Sequence, residues 1–193
     1  MRVRLDTPRL VLREPEDGDA AALLLYYQFN EERFARWEPE HADDLAYHLR
    51  WVRWRRTESA ARRGWSFLAL DRNAPDALVA VVNLYDVVTG SAHSAVLGYS
   101  VDGAYEGKGY AREAVQAVIG YAFGVLNLHR LAANYHPANE RSGALLRGLG
   151  FVVEGYARDM TYLRGTWRDH VLTSLTNPAW EAPGGRAGEP PPR

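Results

Sequence analysis

Three strand-forming segments, at 65–70, 78–88 and 95–102, follow one another with no helix between them. Strands joined by short turns pair antiparallel, whereas parallel strands need a long crossover, usually helical. The third segment runs into Gly103-Ala104-Tyr105-Glu106-Gly107-Lys108-Gly109, and then into the clearest helix in the chain. There Ala111, Ala114, Val115, Val118, Ile119 and Ala122 recur at spacings of three and four. Upstream, a strand at 9–13 precedes a turn at 15–19, whose acidic residues suit a helix start. That helix reads to about residue 29, with an irregular stretch at 31–41. A second helix opens at Asp43-Asp44 and carries Leu45, Leu49 and Val52 on one face. Downstream come a strand at 130–135, a short helix at 140–149 closed by Gly150, and strands at 151–157 and 168–175. The pattern predicts an α/β (α+β) fold. Its sheet is mixed and mainly antiparallel, with about seven strands flanked by about four helices.

The 193 residues fit one domain, assigned to 1–180. The remainder, 181–193, is rich in proline and glycine and reads as a disordered tail. The absence of cysteine excludes disulfides, thiolate metal sites and a cysteine nucleophile. A net charge of −1 gives no basic field for non-specific nucleic-acid binding. The longest apolar run, 20–27, is far short of the roughly 18 residues of a membrane span, and the N-terminus lacks a signal peptide's apolar stretch. The expected address is cytoplasmic.

The 106–111 turn sits between a strand and a helix start. Gly107 and Gly109 permit a close main-chain approach, and the N–H groups of the first helical turn face outward at the positive end of the helix dipole. This combination suits a pyrophosphate, with Lys108 and Arg112 as supplementary charge. It is neither a Walker A loop nor a dinucleotide fingerprint, because Gly109 follows Lys108 and Arg112 stands where a third glycine is required. The second constellation is Asn139-Glu140-Arg141-Ser142, where Asn139 reads as a helix N-cap.

Together the two constellations resemble the GNAT superfamily of N-acetyltransferases. In that family a Q/R-x-x-G-x-G/A turn holds the pyrophosphate of acetyl-CoA, and an Asn, a helix and Gly-Phe follow. Here Gly109 and Ala111 match the turn, and Asn139, Gly150 and Phe151 match the rest. The chain is most similar to the RimJ/RimL branch, which acetylates ribosomal-protein N-termini. The matching text includes Thr7-Pro8-Arg9-Leu10, Trp37-Glu38-Pro39, Leu97-Gly98-Tyr99-Ser100 and Trp167-Arg168-Asp169-His170. The resemblance implies acetyl-CoA as cosubstrate, held by Val101, Gly107, Lys108, Gly109, Tyr110, Ala111, Arg112, Asn139 and Ser142. Glu106 departs from the family's Gln or Arg and is expected to point away from the phosphates. The tyrosine that many members use as general acid falls at Leu146. RimL proteins use the serine of N-x-x-S, so Ser142 inherits that role, while their catalytic glutamate aligns with Thr161.

Acetyl transfer needs a neutral amine, a stabilised carbonyl oxygen and a departing thiolate. With no cysteine, direct attack in a ternary complex is favoured over an acyl-enzyme. Backbone N–H groups near Val101 are candidates for the oxyanion. An α-amine with a pKa of about 7.7–8.0 is roughly one-tenth neutral at pH 7, against about one in several thousand for lysine. A chain lacking a strong base therefore favours an N-terminal α-amine, probed by Trp37, Glu38, Glu154 and Trp167, with Glu38 as a catalytic candidate. A small-molecule amine and a non-catalytic CoA-binding module stay open, as does monomer or homodimer. Arg50, Arg53, Arg55 and Arg56 read as a solvated helix face, and Trp51 and Trp54 as core. The histidines show no metal-ligand spacing, so no metal is expected.

Overall fold

The computed structural model describes residues 3–183. Eight strands form one sheet in the order β1-β2-β3-β4-β5-β6-β8-β7. They are β1 (Arg4–Asp6), β2 (Leu10–Arg13), β3 (Trp65–Asp71), β4 (Ala74–Val88), β5 (Ser94–Val101), β6 (Arg130–Tyr135), β7 (Val152–Leu163) and β8 (Thr166–Thr176). The helices are α1 (Ala20–Phe34), α2 (Leu45–Ala60), α3 (Tyr110–Gly124) and α4 (Glu140–Gly148). All pairings are antiparallel except β5 with β6, whose crossover is α3.

Alternation along the central strands sends residues to two cores. Trp65, Phe67, Leu84, Leu97 and Leu131 pack with Val115, Val118 and Leu146 of α3 and α4. Leu68 and Val81 point the other way, against Leu23, Tyr26, Tyr27 and Phe34 of α1 and Val52 of α2. Both faces are therefore covered. That is why β3 and the middle of β4 are almost continuously buried and show no polar alternation.

The eighth strand, beyond the seven expected, is β1, a three-residue edge too short to stand out in the sequence. Helix α1 runs to Phe34 rather than about residue 29. Its buried stripe continues through Tyr26, Tyr27, Asn30 and Phe34 while Phe29 is 80% exposed. Strands β7 and β8 are longer than expected and meet in a tight hairpin, in which Arg164 and Gly165 both have positive φ (50° and 83°). That is the requirement of a two-residue hairpin turn matching strand twist. Most of the expected tail, 184–193, lies outside the described residues.

One irregularity creates the cleft. Strands β5 and β6 pair only through Ser94↔Arg130, Ala95↔Leu131 and Val96↔Ala132. Beyond those, β5 stays with β4 as far as Val101↔Ala80, and β6 stays with β8 as far as Tyr135↔Val171. The C-terminal halves of β5 and β6 separate into a wedge whose mouth faces the 102–110 turn and the start of α4.

Candidate active site

The turn after β5 is held from three sides. The Asp102 carboxylate accepts from Ala104 N (2.7 Å) and from Asn30 Nδ2 of α1 (2.8 Å), and Asn30 Oδ1 accepts from Gly103 N (2.9 Å). Gly107 and Gly109 take the left-handed backbone conformation (φ 68° and 80°), which lets the chain turn into α3 without a side-chain clash. Gly109 is the N-cap of α3 and has no side-chain cap. The N–H groups of the first turn, at Tyr110, Ala111 and Arg112, thus face the mouth of the wedge as an anion cradle.

Arg9 braces this turn. Its Nη1 donates to Lys108 O (2.8 Å), its Nε to Glu113 Oε2 (2.6 Å), and its guanidinium lies 4.1 Å from the Tyr110 ring centroid. Glu113 also accepts from Thr7 Oγ1 (2.6 Å) and Arg9 N (2.8 Å). The Thr-Pro-Arg-Leu text thus sets the position of a helix about one hundred residues later. Lys108 and Arg112, expected as supplementary charge, are engaged elsewhere. Lys108 Nζ donates to Ala104 O (2.8 Å) and Arg112 Nη2 to Gly148 O at the end of α4 (2.7 Å). Glu106 is gripped by Arg33 of α1 and Arg141 of α4, so its negative charge is matched by two guanidiniums.

The other lip of the wedge is the start of α4. Asn139 Oδ1 accepts from Ser142 N (3.1 Å), which is the cap geometry the sequence implied. The Ser142 hydroxyl, half-buried, is 2.8 Å from the hydroxyl of Tyr99 on β5. Burial pushes the Tyr99 phenol up to about 12, while the Ser142 hydrogen bond pulls the other way. The Tyr135 side chain lies over Gly143, where a Cβ would stand 2.9 Å from two ring carbons and from the hydroxyl oxygen. Leu146 is fully buried and belongs to the core. Nothing local marks Tyr99 as a site residue, and only the wedge brings it to Ser142, 43 positions away.

The loop after α1 closes the far side. Trp37 packs near His136, just beyond β6 (ring centroids 5.5 Å apart). Glu38 Oε2 is 3.5 Å from His41 Nε2, and His41 stacks on Tyr27 at 3.6 Å. Trp167 is 56% exposed beside Tyr162 on the β7–β8 hairpin, whose tip is tied to α1 by Arg164 to Glu31 (2.7 Å).

Three expectations need correction. Glu154 is bound to Arg130 and to Ser174 Oγ (2.7 Å), at the end of β6 opposite the wedge. Arg130 and Ser174 hold its carboxyl below the usual carboxylate range, and its place beside the first residue of β6 sets it away from the wedge. Arg55 is not on a solvated face. It is 2% exposed, donates to Ser66 Oγ, Trp65 O (3.0 Å) and Leu84 O (3.3 Å), and lies 4.6 Å from the Tyr85 ring centroid. Trp54 is half exposed rather than core, whereas Trp51 packs against the second core. Arg53 and Arg56 both pair with Asp17 at 2.9 Å, which leaves no free basic stripe on α2.

A split sheet, a glycine turn leading into a helix and an Asn-capped helix at the wedge define a coenzyme A-dependent acyl-transfer fold. Residues 9–152 match the family model described as an acetyltransferase (GNAT) domain, and the chain belongs to that family. It is 42% identical over 181 residues to the [ribosomal protein uS5]-alanine N-acetyltransferase of Escherichia coli (strain K12), covering 93% of each chain. The fold superimposes on the ribosomal-protein-S5-alanine acetyltransferase of Vibrio fischeri with a TM-score of 0.87 at 31% identity, covering 93% of this chain and all of that one. Mycobacterium smegmatis RimJ, solved in complex with CoA-disulfide, gives a TM-score of 0.82 at 26% identity, covering 91% and 86%. GNAT acetyltransferases use acetyl-CoA, and the turn at 107–112 fits its diphosphate: uncapped N–H groups, and glycines whose left-handed backbone leaves the main chain bare. Among the described residues no cluster has a metal's ligand set, and no helix is long and apolar enough to cross a membrane.

Proposed function

We propose that this chain acetylates the α-amine of a protein N-terminus, with alanine of a ribosomal protein as its acceptor, by direct attack in a ternary complex in the cytoplasm. The observation that carries this reading is the near full-length similarity to uS5-alanine N-acetyltransferases. The site chemistry agrees with it. Thr161 stands where related enzymes place a glutamate base, and Glu154 is engaged by Arg130. A modest proton acceptor suffices for an α-amine whose pKa is about 7.7–8.0, and fails for a lysine near 10.4. Glu38 is that acceptor in this reading. It lies on the α1 side of the wedge, and Ser142 on the α4 side serves the departing sulfur. Trp37 and Trp167 border the acceptor's entry, and the α3 turn with Val101 holds the donor.

A peptide screen with acetyl-CoA tests the assignment. An Ala-start peptide with the uS5 N-terminus is expected to exceed a Met-start peptide, an N-blocked lysine peptide and spermidine by at least roughly tenfold in kcat/KM, a difference of about 1.4 kcal/mol. Equal or better turnover of spermidine or the lysine peptide overturns it.

A further inference from the structure

The proton chemistry at the sulfur end of the wedge is incomplete with Ser142 alone. A serine hydroxyl is a weak acid, and its single hydrogen can rotate to any neighbouring acceptor. The family's usual tyrosine is replaced by Leu146, which is 1% exposed, has no donor and is committed to the core. A phenol nevertheless reaches the same hydroxyl from another element. Tyr99 comes from β5, on the face that packs against α3 and α4, and its oxygen is 2.8 Å from Ser142 Oγ.

The heavy atoms alone allow either oxygen to donate, and the acidities of the two hydroxyls favour one direction. Among the described residues, Tyr99 O–H has Ser142 Oγ as its one partner. A phenol is a far stronger acid than an aliphatic alcohol, and the serine oxygen is the better acceptor, so Tyr99 donates to Ser142. If Tyr99 donates, Ser142 Oγ is the acceptor, and its own hydrogen must point elsewhere. The Asn139 cap on Ser142 N holds the residue in place, and its hydroxyl hydrogen turns about the Cβ–Oγ bond. The open direction is the wedge between β5 and β6.

We infer that Tyr99 is a positioning residue for acetyl transfer: by donating to Ser142 it turns the Ser142 hydrogen toward the sulfur of the donor thioester. This rests on the acetyl-transfer reading but not on the identity of the acceptor. In the transfer, the amine nitrogen bonds to the acetyl carbon and the carbon–sulfur bond breaks. Its electron pair goes to sulfur, which is stabilised by the Ser142 hydrogen bond. The proton released from nitrogen passes to Glu38 and on to water, and the thiolate takes one back from water. Tyr99 keeps its proton throughout, and its raised pKa favours that state. The aligned pair is reinforced by its position at the N-terminal turn of α4, where the helix dipole favours negative charge.

Titration of the thiol of bound CoA, followed by ultraviolet thiolate absorbance, tests this without any acceptor. In the native enzyme the bound thiol is expected to titrate below the roughly 8.5 of a free thiol. Tyr99→Phe, which keeps the ring and its packing, is expected to raise that value by about half a unit to one unit, and Ser142→Ala by at least as much. With the best peptide from the screen, Tyr99→Phe should lower kcat about tenfold, with KM for acetyl-CoA and the Kd for CoA within about twofold. Adding Tyr99→Phe to Ser142→Ala should cost less than about twofold more, because the two groups act as one unit. An unchanged thiol titration in Tyr99→Phe overturns the inference, as do losses that multiply or a shift lost in Tyr135→Phe instead. A failed peptide screen with a normal thiol titration overturns the acceptor assignment and leaves Tyr99 standing.

Discussion

At the residue scale, the site is built from charges that cancel locally. Glu106 is the clearest case. A carboxylate beside a diphosphate turn is unfavourable by Coulomb's law, yet here it pairs with both Arg33 and Arg141 and ties α1 to α4 across the turn. Glu106→Gln removes two partly exposed ion pairs and frees two guanidiniums next to the anion cradle. Stability should fall by about 1 kcal/mol, a drop in Tm of roughly 2–4 °C. KM for acetyl-CoA should fall about two- to threefold at low ionic strength, and that gain should vanish in high salt. Thermal melts and salt-dependent kinetics check both halves. An increased KM at low salt would show that tying the turn matters more than its charge.

At the element scale, α4 is only nine residues long, and a helix of that length is marginal without packing and caps. Its N-cap is Asn139, and its C-terminal end closes with Gly150 at φ 93°. Asn139→Ala should lower stability by about 1 kcal/mol, whereas Asn139→Asp, which keeps the accepting oxygen, should lose only a few tenths. Because the cap also fixes the Ser142 backbone, Asn139→Ala should reduce kcat more than Asn139→Asp does. Denaturant unfolding alongside steady-state kinetics separates the two effects. The same element was readable in the sequence from an Asn followed by a short amphipathic run and a glycine. The wedge it faces was not readable, because the point where β5 and β6 part depends on β4 and β8 holding each strand to its own side.

At the scale of the whole molecule, the α1/α2 face buries a cluster of polar groups. Arg55 is enclosed between β3, β4 and the Tyr85 ring, and Ser66 Oγ donates to Asn83 Oδ1 (2.5 Å). His48, 1% exposed, stacks near Tyr27 with Nε2 unpartnered among the described residues. Burial holds its pKa below the usual 6.5, and His41 beside it pushes the same way, against weaker pulls from a backbone hydrogen bond with Ala42 and from Asp44 and Asp43. The unfolded chain therefore binds this proton more readily than the folded one. The stability that depends on keeping His48 neutral is full above pH 6.5 and declines as pH falls through 6.5 toward the lower folded value. Melting temperatures from pH 8 to 5 should fall more steeply for the native chain than for His48→Leu. Parallel curves would show that another group governs the acid limb.

Local chemistry alone determined the glycine turn into α3, the cap of α4, the run of antiparallel strands and the absence of cysteine chemistry. Each depends on residues within a few positions of one another, where backbone freedom and hydrogen-bonding capacity act directly. The tertiary structure alone decided which groups share the wedge. It brought Tyr99 to Ser142, set Arg9 under the glycine turn, matched Glu106 with two arginines and removed Glu154 to a pair with Arg130. Those contacts join positions from 24 to nearly one hundred residues apart, and their geometry follows from sheet order and strand separation, which no local pattern encodes.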